Sequence, residues 1–95
     1  MELEFGGEIW QWRGPAPHHF VTVPPEESAA IEATSALTSY GWGCIPVAAR
    51  VGSTDFTTAL IPRDGCYALP LKAAVRRAEG LDVGDHVDVR LVLDV

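Results

Sequence analysis

Twice in this chain an alternating apolar run ends on a proline that opens directly into a helix-forming stretch: residues 20–28 read FVTVPPEES and residues 67–75 read YALPLKAAV. In a chain of 95 residues, two copies of strand, proline, helix leave room for little else, and the spacing around them agrees. Phe5 to Pro24 and Pro24 to Gly43 are both 19 residues, while Phe56 to Pro70 and Pro70 to Gly84 are both 14. Each half therefore reads strand, strand, helix, strand. Two such halves can interleave into one closed barrel, which leaves no strand edge exposed. The expected fold is mainly β: a small closed β-barrel of six or seven strands with two short helices, a swapped duplication making a single domain of residues 1–95.

The terminal stretch is the plainest strand. After Gly84 and Asp85, apolar Val87, Val89, Leu91, Leu93 and Val95 alternate with His86, Asp88, Arg90 and Asp94, a period of two with one polar face. Leu3 and Phe5 begin a similar strand, Gly6 and Gly7 predict a bulge or bend, and 9–13 resume it. Further strands are expected over 19–23, 42–51, 57–61 and 66–69, with Pro46 marking an edge or irregular position. The first helix has Pro25 suited to its first position, Glu26 and Glu27 where the helix dipole favours negative charge, and a narrow stripe of Ile31 and Leu37. In the second, Leu71, Ala74, Val75 and Ala78 form an amphipathic stripe, Arg76 and Arg77 complement the C-terminus, and Gly80 supplies a left-handed cap.

Thirteen acidic against seven basic side chains give a net charge of −6, which repels a phosphate backbone, so no nucleic-acid partner is expected. The N-terminal MELEFGGEIW carries acids where a signal peptide needs a basic region and an apolar core, and no apolar run is long enough to span a bilayer. The expectation is a cytoplasmic protein without a membrane partner. Cys44 and Cys66 stand alone, with no CxxC, and are expected as buried small apolar groups rather than a disulfide.

The chemistry-bearing side chains are few. Trp10 and Trp12 share a strand face and Gly41 and Gly43 flank Trp42, so the tryptophans fit either core packing or an aromatic pocket at a barrel mouth. Lys72 and Arg76 lie one helical turn apart and fit either a solvated face, or ion pairs with Glu79 and the acidic first helix, or an anion site aided by Arg50. His18 and His19, as neighbours on a strand, point to opposite faces and make a poor pair of metal ligands. Cys44 or Cys66 with a histidine, or Thr57 or Thr58 with Asp55, supply nucleophile and base on paper, but no spacing favours them. No phosphate-cradling glycine loop, carboxylate pair or zinc-hydrolase motif is present, so neither a cofactor nor a metal is expected, and a binding module is preferred to an enzyme.

Taken in order, Trp10-Gln11-Trp12, Gly14 to Pro17, FVTVP, GWGCIPV, the segment 56–62, YALPLKAAVRRAEG and VGD resemble the bacterial family called domain of unknown function 1905 across nearly the whole chain. The resemblance implies a small β-barrel with two short helices, and no catalytic role for any residue. Longer relatives carry a further helical segment labelled bacteriocin protection and associated with YdeI and OmpD. This chain departs from the family pattern in having Phe56 in place of tryptophan, Ala59 in place of serine, and His18-His19 in place of an aromatic position. The function these readings favour is a non-catalytic module that binds a small molecule or peptide, in protection against a toxic compound. Its expected ligand residues are Trp12, His18, Trp42, Arg50, Lys72 and Arg76. The alternative is a protein-interaction or homodimerisation module that buries the tryptophans.

Overall fold

Alternation decides the architecture. In the computed structural model, which describes residues 1–14, 18–35 and 44–93, the strongest period-two stretches are strands with one face buried and the other in water. The elements run β1 (Glu2–Trp12), β2 (His18–Val23), α1 (Pro25–Ser35), β3 (Ile45–Val51), β4 (Thr54–Arg63), β5 (Cys66–Pro70), α2 (Ala73–Glu79) and β6 (His86–Val92). In β3, Ile45, Val47, Ala49 and Val51 are buried and Pro46, Ala48 and Arg50 exposed; in β6, Val87, Val89 and Leu91 are buried between exposed neighbours. The terminal strand is therefore found as expected, from His86 to Val92.

All six strands pair antiparallel and close in the order β1-β2-β5-β4-β3-β6. The two halves exchange places symmetrically in that ring. β1 pairs with β2 of its own half and β6 of the other; β4 pairs with β5 of its own half and β3 of the other. The remaining seams, β2 with β5 and β3 with β6, join corresponding strands of the two halves. The interleaved barrel expected from the repeat is thus the observed topology, with six strands.

Closure depends on two long strands that change partner midway. β1 pairs with β6 from Glu2 to Glu8 and with β2 from Ile9 to Trp12 as one continuous strand, and its one-to-one register through Gly6 and Gly7 contains no bulge of the kind expected there. β4 likewise pairs with β3 up to Leu60 and with β5 from Ile61. Pro46 pairs with Ala59, but β3 meets β6 only from Ala48 onward, so the proline occupies a local edge where its missing N–H costs no ladder bond to β6.

Phe5, Ile9, Val21, Val23, Val47, Val51, Leu60, Leu69, Val89 and Leu91 fill the interior as one apolar cluster. A six-stranded barrel is narrow enough for side chains to pack its lumen. Helix α1 adds Ile31 to that cluster, and Ser28, the buried polar residue among those described, bridges two strands: its hydroxyl donates to Val23 O at 2.9 Å and accepts from Tyr67 N–H at 3.1 Å. Helix α2 contributes Val75, preceded by Leu71, while Ala74 and Ala78 are exposed, so its apolar stripe is narrower than the spacing implied. Gly80 caps it in the left-handed conformation with φ 65°. Leu37 lies outside the described residues. Among those residues no helix is long and apolar enough to cross a membrane.

The cysteines correct one expectation. Both are free thiols, but neither is buried: Cys44 is exposed before β3 and Cys66 is half-buried at the start of β5, on the strand face opposite Tyr67 and Leu69. The barrel interior was already filled by larger aliphatic groups.

Candidate functional site

On β1, odd positions Phe5 and Ile9 point into the barrel, so Trp10 and Trp12 point out. On β2, Val21 and Val23 fill the core, which places His18, Phe20 and Thr22 on the same outer wall. Phe20 is only 8 % exposed yet stands apart from the core cluster, because its cover comes from outside. Trp10, its direct cross-strand partner, stacks on it with ring centroids 4.9 Å apart and planes inclined by 29°. The indole N–H of Trp10 donates to Thr22 Oγ1 at 2.9 Å, fixing the ring along the strand. Two residue pairs further on, Trp12 opposes His18, and His18 in turn lies 6.1 Å from the Phe20 ring. Trp12 folds back over Gly14, where any side chain would collide with its ring.

The wall continues across β5 to β4. The guanidinium carbon of Arg63 lies over the Trp10 ring at 5.0 Å from its centroid, a cation–π contact of about 0.5–1 kcal/mol at an exposed position. Arg63 comes to this place through a two-residue hairpin, Asp64-Gly65, with φ of 51° and 80°, that sets Arg63 opposite Cys66. Between these residues lies a shallow open groove of about 380 Å³ lined by Trp10, Thr22, Arg63, Asp64, Cys66, Tyr67 and Ala68.

The six expected ligand residues do not form one cluster. Trp12 and His18 are brought together on the aromatic wall. Arg50 is in another sheet region, on β3 opposite Arg90 of β6, with its Nη1 on Asp55 at 3.2 Å. Lys72 is an exposed residue at the N-cap of α2. Arg76 is half-buried, donates from Nε to Leu71 O at 3.4 Å, and bears on His19, whose pKa is lowered by burial first and by the Arg76 charge second, against a smaller opposing pull from Asp82. Trp42 lies outside the described residues. Glu79, considered as an ion-pair partner for the helix cations, accepts instead from Thr54 Oγ1 at 2.6 Å and Ser53 Oγ at 3.3 Å.

Sequence reasoning missed Phe20, Thr22 and Arg63. The Asp64-Gly65 dipeptide, a standard hairpin turn, was the signal that could have placed Arg63 at the end of a strand. Of the nucleophile and base pairs considered, Asp55 is committed to Arg50, and Cys66 faces the groove beside Arg63.

The family model described as domain of unknown function 1905 matches residues 5–91. The chain belongs to that family. The match runs from Phe5 in β1 to Leu91 in β6 and so reaches all six strands of the ring. A comparison with curated proteins gives no match.

Proposed function

We propose that this member of the family is a non-catalytic binding module whose recognition surface is the outer aromatic wall of β1, β2 and β5, and that it takes a small molecule or a short peptide. The observation that carries this reading is the placement of Trp10: an indole held outside the barrel, stacked on Phe20, anchored through its N–H to Thr22 and overlain by Arg63. A large aromatic ring fixed at the edge of a groove is a preorganised platform, which lowers the ordering cost of binding. The packed interior supports a ligand on the wall over one in the lumen. Sequestering a toxic compound is the cellular role that fits such a module and the protection label of the longer relatives.

Thermal unfolding against a panel of aromatic acids, neutral aromatics and short peptides tests the reading. A ligand present at a hundred times its dissociation constant stabilises the fold by about 2.7 kcal/mol. For a domain of this size that raises the midpoint by more than about 10 °C. A flat panel together with a midpoint that rises with protein concentration would favour the second reading, a self-association module. That reading is supported by exposed Trp12, Ile61 and Val92, at 41 %, 37 % and 45 % of full exposure.

A further inference from the structure

Arg63 has donors to spare. Its side chain is 47 % exposed, its nearest carboxylate oxygen is Asp64 Oδ2 at 3.6 Å from Nε, and none of its five N–H groups makes a hydrogen bond among the described residues. Arg50 and Arg90, by contrast, are each engaged by carboxylates through hydrogen bonds. The Asp64 carboxylate is 91 % exposed, so its side chain can swing into water and leave the Arg63 fork open. A planar guanidinium with both terminal amines unengaged matches a carboxylate bidentately. It is held over an indole and borders a groove of about 380 Å³, which lies in the range of small-molecule sites and is far larger than a bare anion requires.

We infer that the ligand of this wall is a planar aromatic carboxylate, its acid group on the Arg63 fork and its ring in the groove beside the Trp10 indole, over Cys66 and Ala68 on the outer face of β5. The inference rests on the wall being the recognition surface and adds the chemical class of what it recognises. Arg63 reads the charge and the Trp10 platform reads the ring. Neutral aromatics lose the fork, and small acids lose the ring.

The test is a titration with three probes, indole-3-acetate, indole-3-acetamide and acetate, followed by the amide signals of β1, β2 and β5, the Trp10 indole N–H and the Arg63 Nε–H. Indole-3-acetate is expected to shift both side-chain signals and to bind about tenfold more tightly than the amide, a preference that one charge-assisted bidentate contact supports. Arg63→Gln should remove that preference, and Arg63→Lys should restore only part of it. Equal affinity for acid and amide at these residues would overturn the inference while leaving the wall as the binding surface. Acetate binding as tightly as indole-3-acetate would overturn the role of the ring. Saturable shifts confined to other walls, or no shifts with any probe, would overturn the inference, and the former would overturn the wall as recognition surface with it.

Discussion

Arg50 and Arg90 stand directly opposite one another on adjacent antiparallel strands at the seam between the two halves of the barrel. They are the centre of a four-strand row, Glu4, Arg90, Arg50, Asp55, in which each arginine is paired outward: Arg90 Nη2 with Glu4 Oε1 at 2.8 Å and Arg50 Nη1 with Asp55 Oδ2 at 3.2 Å. The hydrogen bonds that Arg90 donates to Glu4, then the charges of Glu2 and Glu4, hold the Arg90 pKa above its ordinary value. Two like charges face each other because each has its own carboxylate.

The row makes a signed prediction. Arg50→Gln or Arg90→Gln alone removes one outward pair but also relieves the repulsion across the seam, so each change should cost little. The double change has that repulsion to relieve only once, so it should lose more stability than the two singles together. Denaturant unfolding of the four proteins measures the coupling, which should shrink in high salt. A double change that loses less than the sum would mean that the arginines support one another.

Ser28 should matter more than its surroundings suggest. Ser28→Ala leaves Val23 O and Tyr67 N–H without the hydroxyl that joins them at the end of the β2–β5 seam. The expected loss is about 1–3 kcal/mol, with a fall in midpoint of roughly 4–8 °C per kcal/mol for a domain of this size. Thermal unfolding checks it, and an unchanged midpoint would mean that water replaces the hydroxyl.

Gly52 and Gly65 both sit in hairpins with positive φ, 60° and 80°, and differ in what surrounds them. A Cβ on Gly52 would run into the Glu79 carboxylate, whereas one on Gly65 meets nothing. Gly65→Ala should cost about 1–2 kcal/mol from backbone strain alone. Gly52→Ala should cost more, because it also displaces Glu79 from Thr54 and Ser53. Adding Glu79→Ala should bring the Gly52→Ala cost down to that of Gly65→Ala, as read by denaturant midpoints.

His19 sets a pH dependence. Burial and the Arg76 charge lower its pKa in the folded protein below the ordinary histidine value of about 6.5. At pH well above about 6.5 the ring is neutral in both states and contributes no slope. As pH falls below that, the unfolded chain takes up the proton first and stability drops, levelling off beneath the folded pKa. His19→Gln should flatten this part of the profile; a slope that persists unchanged would assign it to other groups.

Local pattern carried most of the fold into view. The alternation from Val87 to Leu93, the helix that opens on Pro25 directly after Pro24 and the left-handed Gly80 are all determined by neighbours in sequence, whereas α2 begins at Ala73 rather than directly after Pro70, with Lys72 still extended at its N-cap. The six-residue site was legible only where it was local as well: Trp12 and His18 meet because β1 and β2, neighbours in sequence, pair antiparallel in that register. Whether Trp10 and Trp12 face in or out was not legible, since both faces of β1 carry large apolar groups and only the packing of Phe5 and Ile9 against β6 and β2 decides it. Arg63 reaches Trp10 through barrel closure, with β5 and β2 lying between their strands. No spacing along the chain encodes that contact. The same closure explains why Arg50, Lys72 and Arg76 were grouped by charge yet are held on different parts of the surface.

The most direct measurement compares affinities across two walls of the barrel. The panel member that most stabilises the fold is titrated by calorimetry into the wild type, Trp10→Leu, and Val92→Ser on the opposite β3–β6 wall. If the aromatic wall is the recognition surface, Trp10→Leu loses at least about tenfold in affinity, the scale of a well-packed aromatic anchor, while Val92→Ser binds as the wild type does. Full affinity in Trp10→Leu with a loss in Val92→Ser would contradict the account and move the recognition surface to the other side of the molecule.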